Sequence, residues 1–328
     1  MRNLNADMNI SIIIPTRNRS SLLERTLASM SKQTISEESF EVIIVDNGSS
    51  DNTKDISLSF GGEFANFQYI YEREPGLHVG RHAGLKAAKG EILIYADDDI
   101  EALPTWIEAI NDSFRDPQVA LVGGNNFPKY ESKPPEWVND LWRTTPWGKV
   151  NAIYSILDFG KECKEIPANY VWGCNFAILK SVLLEEGGFH PDAMPDGLLK
   201  YRGDGEAAVW QAVSKKGYKT QFNPKASVNH LVSTSRMRIE YLYRRGYIQG
   251  ISSSYAHTRK NKKINIISDG IYRKNMLFKN KLRKMLKSTP KILDAYLKGH
   301  EDGYAYHQNE LKIDAALIDW VLKDNYLE

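Results

Sequence analysis

The chain has 328 residues with 43 Lys and Arg against 41 Asp and Glu, and 42% of it is hydrophobic, the balance of a globular protein long enough for one large domain with an extension. No stretch reaches the roughly 18 apolar residues of a membrane span, and two cysteines, Cys163 and Cys174, exclude a disulfide framework or a thiolate zinc motif. The charge is segregated: residues 1–235 carry −7, residues 236–300 carry +14, and residues 301–328 carry −5.

Met1 to Met8 is polar, lacks a secretory apolar core, and is expected to be a disordered leader on a cytoplasmic protein. Ile10 to Ile14 reads as a buried strand closed by Pro15, followed by the loop Thr16-Arg17-Asn18-Arg19. Ser20 or Ser21 is placed to cap a helix whose apolar face is Leu22, Leu23, Leu27 and Met30. A second strand at 40–45 ends in Asp46-Asn47-Gly48-Ser49-Ser50-Asp51, where Asp51 is placed to cap the next helix. A third strand at 67–71 precedes a helix expected over 81–88 with Gly90 as its C-cap.

Next comes Ile92-Leu-Ile-Tyr-Ala96, a buried strand, with Asp97-Asp98-Asp99 at its end. Three crowded carboxylates repel unless a cation neutralises them, and Mg²⁺ prefers oxygen ligands while keeping positions for substrate phosphates. The other reading of the cluster is a solvated loop or a helix cap. A helix over 104–114 and a strand over 119–122 complete an alternating pattern that predicts a doubly wound, mostly parallel α/β sheet. Ligands of such sheets bind at the carboxyl ends of strands.

Residues 125–169 hold Phe127, Tyr130, Trp137, Trp142 and Trp147 without periodicity, and are expected to be irregular, the aromatics serving as core or as a platform for a sugar ring. Val171 to Leu179 reads as a strand with a small-residue break at Gly173, where a backbone or ligand approaches closely. Asp204 stands at the start of a helix that ends by Gly217, as an N-cap or as a functional acid. A last strand covers 220–223, and His230 beyond it is either structural or a ligand. From Met237 the chain is helical. Residues 271–287 form a basic amphipathic pattern, suited to an anionic membrane or to solvent, and the closing helix suits packing on the body or on a second subunit.

Four motifs in order, Ile12-Ile-Ile-Pro15-Thr16-Arg17-Asn18, Val42-Ile-Ile-Val-Asp46-Asn47-Gly48-Ser49-Ser50-Asp51, Gly80-Arg81-His82-Ala83-Gly84-Leu85 and Asp97-Asp98-Asp99, resemble the glycosyltransferase family 2 domain, which has a GT-A fold. The resemblance covers about residues 9–235. It implies a nucleotide-sugar-binding part over 9–123, an acceptor-binding and catalytic-base part over 124–235, and a basic helical extension over 236–328 outside the family domain. It further implies an inverting transfer from a UDP- or dTDP-sugar to a hydroxyl, with Mn²⁺ or Mg²⁺ as cofactor. By position Pro15, Thr16, Arg17, Asp46, Arg81, Asp97 and Asp98 would bind the nucleotide sugar, with Asp46 accepting the imide N–H of uracil or thymine. Asp99 and His230 would bind the metal. Trp172, Gly173 and Asn175 would shape the sugar and acceptor pocket.

Asp204 would be the catalytic base, with Glu206 as the alternative because Gly203 stands where many members have an acid. The implied acceptor is a glycan or lipid-linked glycan in surface polysaccharide synthesis. Residues 236–300 would bring the protein to the inner membrane face, and the helical tail equally suits a homodimer. A nucleotidyltransferase is disfavoured because the first loop lacks glycine, a pure binding module has no need of a base, and the basic block has no nucleic-acid motif.

Overall fold

The computed structural model describes residues 9–262, 274–275 and 292–328. The expected leader and almost all of the basic amphipathic segment lie outside them. In chain order the strands are β1 (Ile10–Thr16), β2 (Phe40–Asp46), β3 (Phe67–Tyr71), β4 (Ile92–Ala96), β5 (Ile100–Ala102), β6 (Val119–Gly123), β7 (Asn126–Tyr130), β8 (Arg143–Thr145), β9 (Gly148–Asn151), β10 (Ile156–Asp158), β11 (Lys164–Glu165), β12 (Asn175–Leu179), β13 (Lys219–Phe222) and β14 (Val228–Val232). The helices are α1 (Ser20–Met30), α2 (Thr53–Ser59), α3 (Leu77–Ala87), α4 (Trp106–Ser113), α5 (Lys180–Glu185), α6 (Ala207–Lys215), α7 (Ile239–Asn261), α8 (Leu293–Ile313) and α9 (Ala315–Leu322).

The larger sheet has the order β11-β13-β6-β12-β4-β1-β2-β3. Strands β4, β1, β2 and β3 run parallel, whereas β12 is antiparallel to both its neighbours. Its central strands are buried along their whole length, which is why they read as continuous apolar runs instead of alternating ones. Each buried isoleucine of β1 contributes about 1.5–3 kcal/mol to folding. Helix α3 lies on β1 so closely that a Cβ at Gly84 would sit 2.3 Å from the Ile13 side chain.

A second sheet, β5-β14-β7-β10-β9-β8, corrects the expectation of an irregular 125–169. Its strands are three to five residues long with mixed burial, too short for a period to register. Strands β5 and β14 were also not expected, because each is a brief run beside a polar cluster. Three local expectations change as well. Helix α1 is not capped by its own serines: the Ser20 amide donates across the loop to Asp51 Oδ2 at 3.1 Å. Helix α3 begins at Leu77, not at Arg81. Gly90 is not a C-cap but a close contact, where a Cβ would lie 2.7 Å from the backbone of β1.

Helices α7 and α8 form a parallel pair joined by four glycines. A Cβ on Gly246, Gly250, Gly299 or Gly303 would fall about 2 Å from a carbonyl oxygen of the other helix, those of Tyr296, His300, Tyr243 and Tyr247 respectively. Alanine at Gly250 would gain about 1 kcal/mol of helix propensity but has no room. Gly250→Ala is therefore expected to lose about 1–3 kcal/mol of unfolding free energy in urea; unchanged stability would mean that the pair has slack.

His82 on α3 faces the core, where its Nε2 accepts the Phe189 amide at 2.9 Å. Burial pushes its pKa down to about 3 and that of neighbouring His78 down to about 4. The unfolded chain binds protons near pH 6.5 that the folded state refuses, so stability present above that pH falls as pH drops toward 4, by up to about 1.4 kcal/mol per unit for each group. Urea melts at pH 7, 6 and 5 are expected to show a shallower fall for His82→Gln than for the wild type.

Candidate active site

The parallel pairing of β1 with β4, Ile10 opposite Ile92 and Ile13 opposite Tyr95, ends β4 just short of Thr16. The next residues therefore emerge beside the first loop. Thr16 Oγ1 donates to Asp98 Oδ2 at 2.6 Å, and Arg19 bridges Asp98 at 2.7 Å and Asp99 at 2.6 Å. Arg236 adds a second guanidinium to Asp99 at 2.8 Å. The β5–β14 pairing sets His230 opposite Ile100, with Nε2 3.2 Å from Asp99 Oδ1. Because β12 starts opposite Ala96, the turn through Cys174 lies across from Asp97. One donor atom each of Asp97, Cys174 and His230 lies within 4.8 Å of the others.

The three carboxylates differ. Burial and the neighbouring Asp99 raise Asp97, and burial pushes Asp98 up to about 7 against the pull of Arg19. Burial would raise Asp99 too, but His230, Arg19 and Arg236 outweigh it and hold the carboxyl below its ordinary range. Asp99 Oδ1 and His230 Nδ1 are both buried with no hydrogen-bond partner among the described residues. A carboxylate oxygen and an imidazole 3.2 Å apart, without hydrogen-bond geometry, match the roughly 3 Å between adjacent ligands of a cation bound at about 2.1 Å. The donor set thus fits a divalent metal.

Beyond this cluster opens a cavity of about 1630 Å³, more than a single small ligand fills. Of the expected residues, Pro15, Thr16, Arg17, Arg81, Asp97, Asp98, Trp172, Gly173, Asp204, Glu206 and His230 line it. Asp99 sits behind them. Asp46 faces a separate hollow of about 310 Å³ with Lys54, Tyr69 and Tyr71, and accepts from Tyr69 Oη at 2.7 Å and the Ser49 amide at 2.8 Å. Asn175 is corrected: its side chain is buried, accepting from Trp106 Nε1 and donating to Asn126 and the Ala226 carbonyl, and it holds the core instead of lining the pocket. At Gly173 the close neighbours are side chains, for a Cβ there would lie 2.2 Å from both Arg81 and Glu206.

Asp204 does not cap α6. Its Oδ1 pairs with His190 Nδ1 at 2.6 Å, and the His190 ring is held between Tyr255 and Tyr326. Oδ2 has no hydrogen bond with a described residue. Glu206, also raised by burial, is paired to the buried Arg81 at 3.0 Å. Arg81 Nη1 has no hydrogen-bond partner among the described residues and lies 3.9 Å from Asp192, which itself holds Arg202 at 2.5 Å. Sequence reasoning missed Arg19, Arg236, His190, Asp192 and Arg202. Only Arg19 and His190 carried a signal, standing in the first loop and directly after Gly187-Gly188-Phe189. Since removing one partner of a buried ion pair strands the other charge, Glu206→Gln is expected to cost about 3–5 kcal/mol in urea unfolding; a loss near zero would show that Asp192 alone compensates Arg81.

The model of glycosyl transferase family 2 matches residues 11–185, and the chain belongs to that family. Over 200 residues it is 27% identical to validoxylamine A glucosyltransferase of Streptomyces hygroscopicus subsp. limoneus, covering 56% of this chain and 44% of that one. Thus the match spans less than half of that relative. Over 248 residues it is 24% identical to glucosyl-dolichyl phosphate glucuronosyltransferase of Haloferax volcanii, covering 75% of this chain and 76% of the relative. In fold it is similar to mannosyltransferase PcManGT from Pyrobaculum calidifontis in complex with GDP-Man and Mn²⁺, with a TM-score of 0.55 at 16% identity over 95% of this chain and 76% of that one. It is also similar to S. aureus TarS 1-349 in complex with UDP, with a TM-score of 0.50 at 15% identity over 93% and 92%. The family match ends before Asp204 and His230. No described helix is long and apolar enough to cross a membrane.

Proposed function

We propose that the chain is an inverting, metal-dependent glycosyltransferase moving a sugar from a UDP- or dTDP-sugar to a hydroxyl of a glycan or lipid-linked glycan, in surface polysaccharide assembly. The observation that carries this reading is one cavity lined both by the acid–histidine cluster and by a carboxylate, Asp204, oriented by His190. Asp99 and His230, with Asp97 beside them, would hold Mn²⁺ or Mg²⁺, which when bound stabilises the charge gathering on a departing diphosphate. Arg17 and the free Nη1 of Arg81 supply further positive charge to that group. Asp46, an acceptor-only carboxylate when ionised, suits the imide N–H of uracil or thymine.

In a single displacement the acceptor oxygen attacks the anomeric carbon while the bond to the diphosphate oxygen breaks, and the nucleoside diphosphate leaves with the electron pair. The acceptor proton passes to Asp204 Oδ2. His190 donates to Oδ1, so the carboxylate presents its other oxygen to the substrate. Glu206 is less suited, because its carboxylate is engaged by Arg81 at 3.0 Å, whereas Asp204 keeps one oxygen without a partner among the described residues. The +14 charge of residues 236–300 supports contact with an anionic membrane surface.

A thermal-shift titration with UDP, dTDP, GDP and CDP, with and without Mn²⁺, tests the donor. A ligand at a hundredfold its Kd stabilises by about 2.7 kcal/mol. UDP or dTDP is expected to raise the melting temperature only with Mn²⁺, and Asp99→Asn to abolish the gain. Asp204→Asn is expected to keep that gain while lowering transfer by about 10²–10⁴. A full nucleotide response in Asp99→Asn, or full activity in Asp204→Asn, would overturn the corresponding assignment.

A further inference from the structure

Past the base loop, the cavity is walled by one face of α7, on which Tyr241, Arg245, Ile248, Gln249 and Ser252 recur at helical spacing. Ser252 fixes this face to the base loop, its Oγ donating to the Gly203 carbonyl at 2.6 Å. Arg245 stands seven residues, about 10 Å, further along the helix. Arg143, at the start of β8, lines the same cavity from the smaller sheet. Tyr296 of α8 lines the cavity too, and both guanidinium groups act electrostatically on its phenol.

The other arginines beyond the first loop are matched on this wall: Arg81 with Glu206, Arg202 with Asp192, Arg236 with Asp99 and Arg244 with Asp196. Arg143 and Arg245 have no hydrogen bond or ion pair with a described residue. Arg245 acts electrostatically on both Arg202 and Asp192. Arg81, Arg202 and Arg245 therefore share the one carboxylate of Asp192 at a half-buried place. Asp140, the other acid on this stretch of wall, is exposed and makes no ion pair with a described residue. Positive charge on a concave wall that the described carboxylates only partly offset is stabilised when an anion completes it, and guanidinium forks match phosphate oxygens.

We propose that Arg143 and Arg245 form an acceptor subsite for a phosphate group, carried by the acceptor on the side of the reacting hydroxyl toward the start of α7. The assignment deepens the transferase reading, since it takes the hydroxyl to lie at Asp204. Tyr241, Ile248 and Tyr296 give the subsite an apolar flank, on which the portion of the acceptor beyond the phosphate rests.

The test titrates glycerol 3-phosphate and farnesyl phosphate into the full chain, against glycerol and farnesol as controls, by thermal shift with and without saturating UDP and Mn²⁺. The phosphates are expected to bind saturably and the controls not. Arg143→Gln and Arg245→Gln are each expected to weaken phosphate binding at least about tenfold, the equivalent of one charge-assisted hydrogen bond, while Arg245→Lys keeps most of it. Tighter binding of farnesyl phosphate assigns the group to a lipid headgroup, and equal binding to a water-soluble phosphate. Both outcomes support the subsite. Equal binding by the wild type and the double glutamine variant, or no binding of either phosphate by the wild type, overturns it. The comparison of wild type with variant is made with and without nucleotide, so a failed donor assignment shows in the nucleotide response alone.

Discussion

Negative charge concentrated at the end of β4 is the constraint that most of the site answers to. Asp97, Asp98 and Asp99 leave the sheet where water is scarce, and buried carboxylates persist only when paired or hydrogen-bonded. Arg19 comes from the loop after β1, Arg236 from the segment after β14, and His230 from β14 itself. Thus the demand for compensation ties together the first loop, the larger sheet and the smaller one. A second set, Arg81, Glu206, Asp192 and Arg202, balances itself in the same way across the cavity. The residues between the two sets are the ones left to act on a substrate.

Much of the larger sheet was legible because burial on both faces leaves apolar runs that turn-formers punctuate. β3 was expected over the residues it occupies, and β1, β2 and β4 within two residues at either end. Their order also made the family resemblance readable. The smaller sheet was not legible, since strands of three to five residues with one half-exposed face carry no distinguishable period. The consequence for the site was specific. Without β5 and β14, His230 could be set near the metal only by resemblance, whereas the pairing of His230 with Ile100 supplies the physical reason for its closeness to Asp99.

Residue type also hid roles that partners reveal. Asn175 stands two residues from Gly173 in sequence, yet it is the first residue of the buried strand β12, and its amide is spent on Trp106, Asn126 and Ala226. His190 had no motif of its own beyond the glycines before it, and its pairing with Asp204 spans 14 residues. Similarly, the arginines that neutralise Asp99 come from positions 80 and 137 residues away. Ion pairs of that range are set by topology and cannot be read from spacing.

The glycine contacts between α7 and α8 have a bearing on motion. Each lodges the backbone of one helix against a carbonyl of the other at successive turns, so sliding or rotation of one helix on its partner would meet a barrier at every turn. The residues flanking the pair, Arg238 before α7 and Asp314 after α8, are extended. Because the two helices run parallel, those residues lie at opposite ends of the pair, which the bonds of Ser252 to the Gly203 carbonyl and of Lys200 to Asp314 also tie to the base loop. The glycine contacts therefore hold Arg245 and Ser252 in one register against Tyr296, and with it the spacing of the groups along the cavity wall.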